Sequence, residues 1–501
     1  MAYTMSATKT GNWSDGTVWS GGDGTHGPVA GDTVTITGYT VTLTANAACA
    51  NLTIGASGVL VGSTYTLTVS GNWDGSAGTF TCNTSTVNLS GTGSLKTPGL
   101  STDFYNLTCA QGYTTTIASA ITIANVLTLG SGGTFTGNYK VTLNGGGGRP
   151  LVNNGATVSI LWLVYAVPSN TQVEGGTYTL SSYLELLSTN TGTVYTLNGP
   201  LTVTGGILLV AALTGKTITV DTSASNYALN AVALKLGFNS GNGYDGNVIC
   251  NLNGSTVSLG SGGMVPFGDS NSTNTLNLGS ATVTCAGPWT CKTVATGTNI
   301  INVTPGTSTV TLTGAGAQTI TSNAQSFANL VLNTAGTYTL QDNLVCNGPL
   351  TITSGTLQQN GKNITASAIV GVITNATPGT ATITLSTASL VSVACQGAGG
   401  TGWSGSASNG GGGGGAYAGA TNVALAAGTF YEGVGAGGGT VGTTIPASAD
   451  TWFDKVAGDN ATLSANLAAW ATGGSAGASG GGGAGGTVKV GSGYAGGQGG
   501  L

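Results

Sequence analysis

Along most of the chain, aliphatic residues alternate with threonine in very short segments: Val34-Thr-Ile36, Val41-Thr-Leu43, Leu52-Thr-Ile54, Leu67-Thr-Val69 and Ile121-Thr-Ile123. A period of two sends successive side chains to opposite faces, so each segment predicts a strand with its aliphatic face buried and threonine outward. Gly, Asn and Ser separate the segments and supply turns. Strands this short cannot cover their own edges, and the economical solution is a stack of coils in which each covers its neighbour. The pattern therefore predicts an all-β chain whose main body is a parallel β-helix.

An internal repeat strengthens this reading. Sliding the chain by 223 positions lays Thr84-Ser-Thr-Val-Asn-Leu on Thr307-Ser-Thr-Val-Thr-Leu, Phe104-Tyr-Asn-Leu107 on Phe327-Ala-Asn-Leu330, and Leu127-Thr-Leu129 on Leu350-Thr-Ile352. A partial third copy, Asn198-Gly-Pro-Leu-Thr-Val203, matches Asn347-Gly-Pro-Leu-Thr-Ile352. Repetition of this kind signals a stacked architecture. Helix signals are few. The Ala-rich stretch from Asp459 to Ala471 is the best candidate and Ser225 to Lys235 a weaker one.

The expected organisation is an N-terminal cap or attachment region over 1–50, a repeat-containing β-helix over 51–392 and a glycine-rich domain over 393–501. Related copies within the β-helix lie around 84–142 and 307–365, with the partial copy near 198–206. In the first region GNWSDGTVW (11–19) precedes GDTVTI (31–36). These elements are similar to the N-terminal entry of G8-like β-helix surface proteins. Physically, Trp13 and Trp19 suit the task of plugging the open end of a solenoid, which otherwise exposes core and strand edges; attachment to another protein is the alternative.

Composition changes what the surface must be made of. Only 5% of residues are charged, against about 25% in ordinary globular chains. Thr, Ser, Asn and Gly take over the exterior, while 40% hydrophobic residues fill a long core. A net charge of -5 with ten scattered basic residues lacks the footprint that nucleic-acid binding needs. The longest apolar run, Ile160 to Val167, is far short of the roughly 20 residues of a membrane helix, so neither nucleic acid nor membrane is an expected partner. The amino terminus, MAYTMSATKT, reads as no secretory signal, which fits folding in a bacterial cytoplasm and release in a virus particle; trimming of a signal peptide is the competing account.

From Gln396 onward, glycine clusters carry an aromatic residue every dozen or two positions. Flexible linkers have nothing to bury, whereas Trp403, Tyr417, Tyr431, Trp452, Phe453, Trp470 and Tyr494 are anchors that need a folded environment. Repeated Gly lets extended chains approach closely, predicting a module of polyproline II/β character. The order GGGGGGAYAGAT, AGTFYEGVGAGGG, DTWF, GGSAGASGGGGAGG resembles the glycine-rich domain of bacteriophage tail-fibre and adhesin proteins. That resemblance implies host-surface attachment through loop tips, with Trp403, Tyr417, Tyr431, Trp452, Trp470 and Tyr494 as receptor-binding candidates. Stabilising the module itself is the competing role for each.

Catalytic chemistry finds few carriers. Glycoside hydrolysis usually needs two carboxylates; Asp221, Asp245 and Asp269 recur every 24 residues, near a plausible coil length, with coincidence as the competing account. Glu174 and Glu185 form a second pair, ranked lower because no basic or aromatic signature stands beside them in sequence. His26 is the single histidine, so a nucleophilic triad lacks its usual base. No Gly-Lys-Ser/Thr follows a glycine cluster, and no zinc or calcium spacing occurs among the acids and the eight cysteines. No cofactor or metal is expected. Cys285 and Cys291 could close a small loop, with buried free thiols the alternative; in the 223-residue register Cys109 falls on Leu332 and Cys346 on Ile123, as core fillers would.

The expectation is a bacteriophage virion structural protein, a fibre or spike for host-surface attachment. Its partners would be other virion proteins and a host cell-surface glycan or protein, in a possible homotrimer. A capsid decoration protein, a polysaccharide depolymerase tailspike and a bacterial surface adhesin are the alternatives, the last placing the chain on the bacterial cell surface.

Overall fold

The computed structural model describes residues 1–145, 148–213, 215–222, 225–237, 246–266, 272–291, 300–387, 389–396, 417–425, 427–434, 451–454, 469–471, 488–490 and 492–494. Among them every regular element is a strand except one 3-10 turn, Gly16–Val18. Parallel turns, about 15 in all between residues 33 and 385, stack as a β-solenoid. The chain divides into two compact units, Met1–Thr282 with Lys292–Thr304 and Val283–Cys291 with Pro305–Leu501.

In the first unit the early coils carry three short strands each. Thr33–Ile36, Thr40–Thr42 and Ala47–Cys49 pair in parallel with Asn51–Ile54, Val59–Val61 and Thr66–Val69 of the next coil. The alternation seen in sequence becomes the inside and outside of the coil: Val34 and Ile36 are buried, Thr33 and Thr35 half-buried. Each fully buried aliphatic side chain contributes about 1.5–3 kcal/mol. Because side chains in register stack from coil to coil, the interior is a set of columns such as Val87, Leu107, Leu127 and Leu151. Corners are held by amide ladders. The Asn51 side-chain oxygen accepts from the backbone N–H of Asn72 (2.9 Å), whose own side-chain oxygen accepts from the backbone N–H of Ser94 (2.8 Å); the Asn125 side-chain amide donates to the side-chain oxygen of Asn106 (2.8 Å). The polar exterior thus ties successive coils together without charge.

Coil length is not constant. Asn106 bonds Thr86, 20 residues back, whereas Asn247 bonds Thr217, 30 residues back. The stretch Ser225 to Lys235, a helix candidate by composition, is instead the strand Leu229–Leu236. Its inward residues Leu229, Ala231, Leu234 and Leu236 are buried between the coils on either side, and that packing overrides the weak local helix preference. Of the second candidate, Ala469–Ala471 is likewise a strand, and its earlier residues lie outside the described ones.

Trp13 and Trp19 are buried at the start of this unit, their rings edge-on with centres 5.4 Å apart. Each indole N–H donates to a backbone carbonyl: Trp13 to Pro28 (3.0 Å) and Trp19 to Trp13 (2.9 Å). Trp19–Ser20 pairs antiparallel with Thr4–Ala7, whose other edge pairs in parallel with Thr33–Ile36. The tryptophans therefore lie buried against the first coil, where a plug would sit.

The second unit repeats the column: Val310, Leu330, Leu350 and Ile369 stack in register. The 223-residue repeat thus corresponds to the same three successive coils, Val87/Leu107/Leu127 in one unit and Val310/Leu330/Leu350 in the other. At Gly379–Leu385 the order changes. This strand pairs in parallel with Ile364–Ala366 but antiparallel with Gly428–Val434. Thr451–Asp454, Ala469–Ala471 and Val488–Val490 continue that sheet antiparallel, and Ser389–Gln396, Tyr417–Leu425 and Ser492–Tyr494 form a second antiparallel sheet.

None of the eight cysteines, all among the described residues, is in a disulfide, and all but Cys82 are buried. Cys109 lies in register between Leu89 and Leu129, and Cys346 beside Phe327, so both fill the core. Cys285 and Cys291 form no disulfide. Burial pushes the thiols of Cys49, Cys109, Cys250, Cys291, Cys346 and Cys395 up to about 12, which makes them poor nucleophiles.

Candidate functional site

Of the aspartate series, Asp221 ends the strand Thr217–Asp221, where its register partners are Thr196 and Asn251, and it accepts a hydrogen bond from Asn253 (2.9 Å). Its neighbours on adjacent coils are thus a hydroxyl and an amide; Asp245 and Asp269 lie outside the described residues. Trp403 does too. The other aromatic candidates stand on strands or at strand ends rather than at loop tips. Tyr417 is the register partner of Tyr494, and Trp452 that of Trp470. Tyr431, half-buried, is paired with Thr382 and Asp454.

Glu174 and Glu185, lacking companions in sequence, gain them from the stacking of coils. The only arginine of the chain, Arg149, grips buried Glu174 bidentately, with Nε to Oε2 at 3.1 Å and an Nη to Oε1 at 2.8 Å. Asn198 donates a further bond to Oε2 (3.0 Å). Tyr165 accepts from the Glu174 backbone N–H (3.3 Å), and Tyr178 donates to the Glu174 carbonyl (3.2 Å). Every oxygen of the carboxylate is spoken for, so this is an internal brace.

Glu185 differs. It lies on the outer face of Tyr183–Ser188, opposite Val164 on one coil and Leu208 on the other, both buried. Desolvation between these aliphatic side chains pushes its carboxyl up to about 7, with Lys140 drawing it back down in part. Two residues before it, on the same face, Tyr183 lies over Gly206: a Cβ there would meet Tyr183 Cε1 at 2.7 Å. The absent side chain at 206 is what lets the ring settle on the sheet. Lys235, two coils from Glu185, donates to the Tyr183 hydroxyl at 2.8 Å. Its nitrogen is 5.0 Å from the ring centre, so it approaches the rim through the hydroxyl, and the contact is a hydrogen bond more than a cation–π stack.

Trp162 occupies the adjacent coil, in register with Lys140, its ring centre 6.0 Å from that of Tyr183 at a 60° tilt. Its buried indole N–H has no acceptor among the described residues. Leaving such a donor unpaired costs about 1–3 kcal/mol. One outer face therefore gathers two tilted aromatic rings, two ammonium groups and one carboxyl poised near neutrality. Lys140, Trp162 and Tyr183 fall on successive coils and Lys235 two coils beyond, at intervals that vary, so no fixed period in the sequence marks them.

A second surface feature is a groove of about 520 Å³ beside the N-terminal plug, lined by Ser14, His26, Pro28, Val29, Asn46 and Ala47 among others. Asp23 accepts from the Thr25 backbone N–H (2.9 Å) and from the ring of His26, one of the lining residues (3.0 Å), bonds that hold its carboxyl well below the usual range. No known protein family, no curated protein and no solved structure matches the chain.

Proposed function

We propose that the chain is a bacteriophage virion structural protein, a fibre or spike whose coils form a rigid scaffold and whose C-terminal module attaches to a host cell-surface glycan or protein. It would be assembled in the host cytoplasm, carried in the virion beside other virion proteins, and fits a homotrimer as readily as a single chain. The observation that carries this reading is the change from parallel coils to antiparallel strands at Gly379–Leu385. There a repetitive, charge-poor scaffold gives way to antiparallel strands bearing Tyr417, Tyr431, Trp452, Trp470 and Tyr494. Coils whose polar side chains bond one another across 20 or so residues suit mechanical support, and aromatic residues suit recognition because they combine flat apolar area with a polar edge.

Two measurements test it. Gold-labelled antibody against the chain should decorate particles purified from the strain that makes it, when viewed by electron microscopy. The purified full chain should bind cells of that strain and compete with particle adsorption, with Trp452→Ala/Trp470→Ala abolishing competition while the circular dichroism stays unchanged. Unlabelled particles together with a well-folded full chain that neither binds nor competes would refute the proposal.

A further inference from the structure

We propose that the outer face formed by Lys140, Trp162, Tyr183, Glu185 and Lys235 is a binding site for an acidic saccharide, a sugar chain bearing carboxylates. This goes beyond attachment through the C-terminal module, since it concerns the flank of the first unit and holds whether or not that module engages a receptor.

The geometry matches the ligand class in three respects. Tyr183 is half-buried with one side of its ring on Gly206, which leaves the other side to stack on the apolar C–H face of a pyranose. Trp162, tilted by 60° on the neighbouring coil, adds a second wall along the direction in which coils repeat, about 4.8 Å apart. A linear polymer lying along that direction meets both rings in turn. Two of the chain's ten basic residues flank these rings: Lys140 in register with Trp162, and Lys235 held at the Tyr183 hydroxyl. They place ammonium groups where carboxylates would project from a stacked sugar. An acidic peptide would supply the charge but not the broad, flat, weakly apolar faces that a pair of half-buried aromatic rings selects.

Glu185 makes the affinity depend on pH. The charged group facing it is Lys140, with Val164 and Leu208 to either side, Tyr183 two residues before it on the same face, Lys235 two coils away at the Tyr183 hydroxyl, and Tyr195 within electrostatic reach. With its carboxyl at about 7, the face loses a negative charge as pH falls from 8 to 6 and gains a hydroxyl donor. Binding of a carboxylate ligand therefore tightens on acidification, and Glu185→Gln flattens the profile.

The test is titration of the full chain with polygalacturonate, polysialate and hyaluronate, with dextran as the neutral control and polyglutamate as the acidic-peptide control. At least one acidic polysaccharide should bind about tenfold or more tightly than either control. Tyr183→Ala and Lys235→Met should each weaken it by about tenfold, while Tyr39→Ala, an exposed tyrosine elsewhere on the same unit, should not. If Tyr183→Ala perturbs the fold, Lys235→Met carries the test, because it keeps both rings. Acidic polysaccharides binding no better than dextran, polyglutamate binding equally well, or affinity untouched by Lys235→Met would each overturn the proposal.

Discussion

Replacing Glu185 by glutamine should remove a pH-dependent weakness from the first unit. An ordinary glutamate titrates at 4.5, and burial between Val164 and Leu208 raises this one to about 7. Below 4.5 the side chain is neutral in both folded and unfolded chains, and nothing is lost. Between 4.5 and 7 the unfolded chain releases the proton while the folded one retains it, so stability falls as pH rises; above 7 the full penalty is in place. At about 1.36 kcal/mol per pH unit the penalty comes to a little over 3 kcal/mol, and partial exposure to solvent brings the expected figure nearer 2 kcal/mol. Glu185→Gln keeps the shape and carries no charge. The difference in urea midpoint between variant and parent, measured at pH 5, 6, 7 and 8, should therefore grow in the variant's favour as pH rises. Working with the difference cancels every other titrating group, and the parent and variant need only share the same unfolding steps. A difference constant from pH 5 to 8 would show that Glu185 ionises as freely as on an open surface, and would remove the basis for a pH-dependent site.

Other consequences are open to simpler measurements. Arg149→Met should cost about 3–5 kcal/mol by stranding the buried Glu174 carboxylate, and adding Glu174→Gln should restore much of that in urea unfolding; equal losses from single and double variants would show that the pair is not a brace. Ellman's reagent should titrate one thiol per native chain, Cys82, and all eight in denaturant, since the others are buried; several fast-reacting native thiols would contradict the packing of the columns. Trp19→Ala should cost about 3–5 kcal/mol and raise hydrogen exchange in Thr4–Ala7 and Thr33–Ile36 while leaving Ile364–Ala366 protected, and uniform deprotection would mean the plug is no local closure. Gly206→Ala should dislodge the Tyr183 ring, read as a change in fluorescence of the adjoining Trp162 against a Trp162→Phe background; an unchanged signal would place the ring elsewhere.

The sequence announced the solenoid because its signal is local and repeated. In Val34-Thr-Ile36 or Leu67-Thr-Val69 each residue's face follows from parity alone, and copies 223 positions apart agree on which residues point inward. Val87, Leu107 and Leu127 needed only a coil of 20 residues to be recognised as a column. The strand Leu229–Leu236 was hidden by its alanines, which favour a helix until packing between neighbouring coils is taken into account. In the C-terminal module the obstacle is different. Antiparallel pairing joins Tyr417 to Tyr494 across a long interval of glycine-rich chain, and no periodicity marks which aromatic residues become partners.

The outer-face cluster shows most clearly what one-dimensional reading loses. Lys140, Trp162, Tyr183, Gly206 and Ala233 follow one another along a single outward column, yet the interval changes at every step because the coils differ in length through this part of the unit. A fixed period finds the interior, where any aliphatic residue will serve. It misses the exterior, where identity matters and register must be known to the residue. Glu185 looked isolated for that reason: its lysines and tryptophan are tens of residues away in sequence and a coil or two away in space. In a chain with so few charges, two lysines and a glutamate on one aromatic face are a departure from the threonine and asparagine that cover the other coils. Structure alone does not require that departure, since hydroxyls and amides already tie coil to coil at the corners. The groups that the scaffold does not need are the ones a ligand would use.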